Sequence, residues 1–98
     1  LTNDPQSAAA EADAVYTDVW VSMGDSDSEA KKAALAPYQL NAELLAHAKP
    51  TAVALHCLPA HVGEEISEDV LYGPSSAIFD QAENRLHVQK AIMAALIR

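Results

Sequence analysis

The segment Thr51-Ala-Val-Ala-Leu-His-Cys-Leu58 constrains this chain most, because eight mainly apolar residues stand between Pro50 and Pro59. A short apolar run closed at both ends by residues that cannot continue a ladder is the pattern of a strand buried on both faces. Such strands belong to parallel sheets covered by helices. The end of the run carries Cys57, the one cysteine of the chain, between His56 and Leu58-Pro59. Pro59 turns the chain out of the sheet there, so Cys57 falls where an α/β fold presents side chains to a ligand.

The flanking sequence alternates helix and strand. Asp4 and Pro5 have the chemistry of an N-cap and a first helical residue, and residues 5–13 are Ala-rich and helical by propensity. Ala14-Val-Tyr-Thr-Asp-Val-Trp20 is β-branched and aromatic, which predicts a strand. Small and acidic residues from 21 to 28 predict a loop, followed by a helix that starts at Ser28 or Glu29 and fades at Pro37. Leu40, Leu44 and Leu45 predict a further helix over 38–48, and Ser67 predicts a cap for a short helix ended by Gly73-Pro74. A last strand is expected over 76–80 and a closing helix over 83–97, with Leu86, Ile92, Met93 and Leu96 on its apolar face. Strands separated by helical crossovers imply a parallel, right-handed α/β sheet. Leu1-Thr2-Asn3 reads as the tail of a strand running into a helix, so the expectation is a piece of a longer protein. A piece of this kind exposes a sheet edge and apolar helix faces, which makes it marginally stable or prone to associate.

The six Lys and Arg against fourteen Asp and Glu give a net charge of -8, which repels phosphate backbones and anionic lipid heads. Nucleic acid and membrane surfaces are therefore excluded as expected partners. No apolar run approaches the roughly 18 residues of a membrane helix, and LTNDPQ has no signal-peptide pattern. A soluble, cytoplasmic protein is expected. A single cysteine builds no internal disulfide, and His47, His61 and His87 show no ligand spacing, so neither metal nor cofactor is expected. The acidic residues Glu64, Glu65, Glu68 and Asp69 read as a solvated face.

Polar residues cluster at the predicted carboxyl ends of the strands: Asp18, Ser22 and Met23 after the first; His56, Cys57 and Leu58 after the second; Asp80, Glu83, Asn84 and Arg85 after the third. Each has a plain structural reading as well. Cys57 serves equally as a small core filler, His56 points away from Cys57 by strand alternation and suits a core hydrogen bond, and Asp18 or Ser22 suits a local turn. Arg85 is harder to explain in this way. In the first turn of the predicted helix it would oppose the helix dipole, which points to an anion or polarised oxygen nearby.

Four strings, DVWVSMG (Asp18 to Gly24), PYQLNAELL (Pro37 to Leu45), HCLPAH (His56 to His61) and FDQAENRLHVQKA (Phe79 to Ala91), together resemble the amino-acid-binding domain of the ornithine carbamoyltransferases. The resemblance covers nearly the whole chain. It implies the second half of that domain, part of a doubly wound, Rossmann-like parallel sheet with flanking helices. Residues 1–98 would be its C-terminal portion, without the carbamoyl-phosphate domain. The implied reaction is carbamoyl transfer from carbamoyl phosphate to the δ-amine of ornithine, giving citrulline and phosphate, a step of arginine metabolism. By similarity Asp18 would hold an ammonium of ornithine, and Ser22 with Met23 its α-amino and carboxylate end. Cys57 would sit beside the δ-amine to accept or relay a proton. Cys57, Leu58 and Arg85 would face the carbamoyl group, with Cys57 and Arg85 as the catalytic pair. No cofactor is implied, and the parent protein would be a homotrimer or a multiple of one.

The family's Ser-x-Arg-Thr-Arg phosphate motif and His-Pro-x-Gln motif are not in these 98 residues, so the chain alone is expected to be inactive. Val62 stands where many relatives carry Arg. Two other readings stay open on the sequence: a related carbamoyltransferase acting on another amine such as putrescine, and a non-catalytic amino-acid-binding module.

Overall fold

The computed structural model describes residues 1–22 and 24–97. Helix α1 (Pro5–Ala9) begins as its sequence demands: Pro5 takes the first helical position and the Asp4 carboxylate accepts the Gln6 N–H at 3.1 Å. It stops short of residue 13, and Glu11 turns the chain at φ +58° so that Ala14 enters the sheet.

Strand β1 (Ala14–Thr17) pairs in parallel with β2 (Val53–His56), in register from Ala14 against Val53 to Thr17 against His56. Both are shorter than the predicted 14–20 and 51–58. Asp18 ends β1 because its own carboxylate takes the Val19 N–H at 2.7 Å, and that amide is lost to the ladder. Burial alternates along β2. Ala54 and His56 are fully buried and Val53 and Leu55 half-buried, so the strand is less enclosed than its apolar run implies.

The crossover between the strands contains α2 (Ser28–Leu35), a 3-10 turn (Ala36–Tyr38) and α3 (Ala42–Leu45). The single helix expected over 38–48 is divided. Leu40 is extended and buried, with its N–H on Glu65 O at 2.9 Å and its carbonyl accepting from Ser67 N–H at 3.0 Å. Asn41 then caps α3 by accepting the Leu44 N–H at 2.9 Å.

The strand expected over 76–80 does not form. Ser76 makes one parallel bridge to Ala54, and the chain enters α5 (Ile78–Leu96), which follows α4 (Glu68–Leu71). The three apolar residues Ala77, Ile78 and Phe79 suit a strand or the start of a helix equally well. Here the buried Ile78 completes the core from the first helical position. That core joins Ala54 of β2, Val70 and Leu71 of α4 and Ile78 of α5 with Leu40 and Ile66 from the connecting segments.

The fold is thus α/β, a parallel two-stranded sheet with flanking helices. The expected apolar residues of α5 lie in the helix but are uncovered: Leu86, Ile92, Met93 and Leu96 are each more than half exposed. No helix among the described residues is long and apolar enough to cross a membrane.

Candidate active-site rim

Because Thr17 is aligned with His56, the next residues of the two strands, Asp18 and Cys57, emerge side by side although 39 positions apart. The Cys57 thiol donates to Asp18 Oδ1 at 3.0 Å, and the same oxygen accepts the Val19 N–H. This shared bond displaces both titrations. Donation from Cys57, then from Val19, holds the Asp18 carboxyl below its ordinary range. Seen from the sulfur, the hydrogen bond to Asp18, assisted by burial and the negative charge, pushes the thiol above its ordinary value. Cys57 is therefore a protonated donor to a carboxylate, suited to relaying a proton rather than waiting as a thiolate base.

His56 turns inward, as strand alternation predicts. Its Nδ1 accepts the Leu58 N–H at 2.8 Å, which leaves Nε2–H to donate to Glu65 Oε1 at 2.8 Å. Both side chains are fully buried, and the same Glu65 oxygen accepts the His61 N–H at 2.7 Å. Glu65 is thus no part of a solvated face. Burial of Ile66 and the extended pairing of Leu40 with residues 65 and 67 carry its side chain under the loop. The His56–Glu65 pair holds the 57–61 segment from beneath, including Leu58, whose φ of +58° is uncommon for a bulky residue. Sequence reasoning missed Glu65 because nothing in its spacing from His56 marks the contact.

Gln81 was missed for another reason: it lay next to a segment read as a strand. Its Oε1 accepts the His56 N–H at 3.0 Å and fixes α5 to the carboxyl end of β2. Ala77 N–H binds Ala54 O, and Gln81 meets His56, so the helix advances in the direction of the strand. Arg85 follows one turn later on the same helix face, about 6 Å further along the axis, which is toward the rim.

Arg85 corrects the sequence reading in one respect. It lies in the second turn of α5 instead of the first, so opposition to the helix dipole does not explain it. It is exposed and bonds to no side chain among the described residues. Ser22 is also exposed. Its N–H donates to Asp25 Oδ2 at 3.0 Å, its carbonyl accepts the Asp25 N–H at 3.2 Å, and Gly24 supplies the φ of +100°. Lys31 ties Asp25 down from α2 at 2.8 Å and holds its carboxyl below the ordinary range. Met23, the other residue expected to bind the amino acid, lies outside the described residues.

The structure therefore brings Asp18 and Cys57 into contact and Leu58 beside them, with Arg85 one turn beyond their anchor and Ser22 on a separate, stapled loop. Two larger cavities, about 470 and 320 Å³, lie at the amino end of β2 and along β1, and neither is lined by Asp18, Cys57 or Arg85. The rim is an open surface.

A polar rim at the carboxyl ends of parallel strands, with a carboxylate and a thiol in contact, defines a ligand-binding unit of the Rossmann-like α/β class. The family model described as "Aspartate/ornithine carbamoyltransferase, Asp/Orn binding domain" matches residues 1–96. The chain belongs to the aspartate/ornithine carbamoyltransferase family, through its Asp/Orn-binding domain. It is 55% identical to the ornithine carbamoyltransferase of Chlorobaculum tepidum, over 99% of this chain and 29% of that protein. With the Thermococcus kodakarensis enzyme of the same name the identity is 52%, over 99% of this chain and 31% of the relative. The ornithine carbamoyltransferase structure from Thermus thermophilus superposes with a TM-score of 0.88 at 47% identity, covering 99% of this chain and 31% of that one. The Pyrococcus furiosus structure gives 0.86 at 51%, covering 93% and 29%. The chain thus spans less than a third of the length of these relatives.

Proposed function

We propose that this chain provides the ornithine-binding half of an ornithine carbamoyltransferase site and is the C-terminal portion of that domain, the carbamoyl-phosphate half coming from sequence outside residues 1–98. The observation that carries the reading is the Asp18–Cys57 contact at the strand ends, within a chain more than half identical to a protein of that name. Asp18, held ionised, is the anchor for an ammonium of ornithine. Ser22 with Met23 takes its α-amino and carboxylate end.

The chemical step requires the δ-ammonium, with a pKa of about 10.4 by analogy with lysine, to lose its proton before the nitrogen attacks the carbonyl carbon of carbamoyl phosphate. In this reading Cys57, beside the δ-nitrogen, accepts or relays the departing proton, which the leaving phosphate finally takes up. The new C–N bond forms, the C–O bond to phosphate breaks with its electron pair, and citrulline and phosphate leave. Arg85 and the Cys57-Leu58 segment face the carbamoyl oxygen, where a guanidinium stabilises developing charge by about 10²–10³ in rate. Closure of the Ser22-Met-Gly24 segment over the amino acid excludes water.

The fragment itself is inactive in this reading, and the intact parent is a homotrimer or a multiple of one. The free Cys57 and acidic composition suit a cytoplasmic protein. The test is citrulline formation by the intact protein, with ornithine and putrescine compared at equal concentration. Carbamoylation of ornithine is the expected result. A clear preference for putrescine, or ornithine binding without turnover when carbamoyl phosphate is present, overturns it.

A further inference from the structure

We propose that the turn from His61 to Glu65 is a binding site for one divalent transition-metal ion, ligated by His61 Nδ1, a Glu64 carboxylate oxygen and Glu65 Oε2. One ligand atom from each of these three residues lies within 4.8 Å of the others. The turn itself gathers them. Gly63, at φ +87°, donates its N–H to Ile66 O at 2.9 Å, and Glu64 N–H returns to His61 O at 3.0 Å, so residues i, i+3 and i+4 converge on one side.

Acidic residues crowd many turns without binding anything, and a second observation separates this one from them. Glu65 is fully buried, and while Oε1 accepts from His56 and from the His61 backbone, no donor among the described residues reaches the buried Oε2. His61 Nδ1 is 3.8 Å from it, too far for a hydrogen bond. That separation suits two ligands of one ion. A first-row metal binds an imidazole nitrogen at about 2.0–2.1 Å and a carboxylate oxygen at about 2.0–2.2 Å, which at a tetrahedral angle places the two atoms about 3.3–3.5 Å apart, so a shift of a few tenths of an ångström by the half-exposed His61 closes the site.

The surroundings are organised as metal sites are. The His56 and His61 bonds to Oε1 orient the Glu65 carboxylate from behind. Gln39 Nε2 holds the backbone carbonyls of Gly63 and Glu64 at 3.3 and 2.8 Å. His61 is half exposed and opens the site to solvent. One imidazole with two carboxylates matches Zn²⁺, Co²⁺ or Ni²⁺ better than Mg²⁺ or Ca²⁺, which favour all-oxygen shells. Lys32 opposes the ion, since its ammonium pairs with Glu64 Oε1 at 2.7 Å. Binding uses the other Glu64 oxygen or releases Lys32, a partly exposed side chain on a flexible stem.

The inference is independent of the carbamoyltransferase reading, and its readout is binding. The intact protein is titrated calorimetrically with Zn²⁺, and with Co²⁺ followed by its visible absorption, in a Cys57→Ser background that removes the competing thiol. One ion per chain is expected, weakened at least tenfold by His61→Ala and by Glu64→Gln, tightened by Lys32→Ala, and not replaced by Mg²⁺. Both weakening variants alter exposed or half-exposed side chains, and circular dichroism verifies that they remain folded. Absence of binding, or equal affinity in His61→Ala, Glu64→Gln and the background, overturns the proposal. So does binding that vanishes with Cys57→Ser alone, because it assigns the ion to the rim.

Discussion

His56 Nε2 lies 2.8 Å from Glu65 Oε1 with both side chains removed from solvent, a buried pair beneath the loop that carries Cys57. Replacing Glu65 by Ala leaves the Nε2–H of His56 and the backbone N–H of His61 without an acceptor, at a cost of about 1–3 kcal/mol for each group. Glu65→Gln retains an acceptor oxygen and should cost less. Denaturant midpoints of the two variants check the order, and equal stabilities would show that the pair does not support the loop.

The thiol of Cys57 should titrate above an ordinary cysteine, because its hydrogen bond to Asp18 favours the protonated form. The rate of alkylation against pH reads this directly. Asp18→Asn removes the negative charge and should move the midpoint downward. The linked stability has a definite sign: a raised folded pKa contributes below the unfolded thiol value and is lost as pH climbs through the folded one. The depressed Asp18 contributes above the unfolded carboxylate value and is lost as pH falls through its lower folded value.

In the intact enzyme, Arg85→Ala should reduce kcat by about 10²–10³ with little change in KM for ornithine, since the guanidinium acts on charge that develops only in the transition state. Cys57→Ala should lower turnover and alter its pH profile together. Steady-state kinetics across pH distinguishes the two roles, and full activity in both variants would refute the site assignment.

Ile78 is fully buried at the start of α5, whereas its neighbour Phe79 is half exposed and stacks on Tyr72 with ring centroids 6.0 Å apart. Ile78→Ala should therefore cost about 2–5 kcal/mol. Phe79→Ala should cost clearly less. Thermal or denaturant unfolding of both variants checks this order, and equal costs would show that Ile78 does not complete the core.

Much of the architecture is legible locally. Asp4-Pro5, the β-branched run before Asp18 and the proline-bounded 51–58 segment each specify their element through propensity and capping, which act over a few residues. Where the reading failed, the deciding interaction was distant. The 38–48 segment is broken because Leu40 pairs with residues 65 and 67, and 76–80 becomes a helix start because Ile78 has a core to complete. Arg85 was expected after a third strand end, and with that strand replaced by the start of α5 it falls in the second turn of the helix.

The order of elements, the acidic charge and the motif strings follow from the sequence, because propensity, charge and residue identity are carried by the residues themselves. Only the tertiary structure decides that Asp18 meets Cys57, that Glu65 is buried beneath His56, and that Gln81 fixes α5 to the strand end. Those contacts span 39, 9 and 25 positions, and they exist because strand register and the burial of a shared core bring together groups that have no local interaction to announce them.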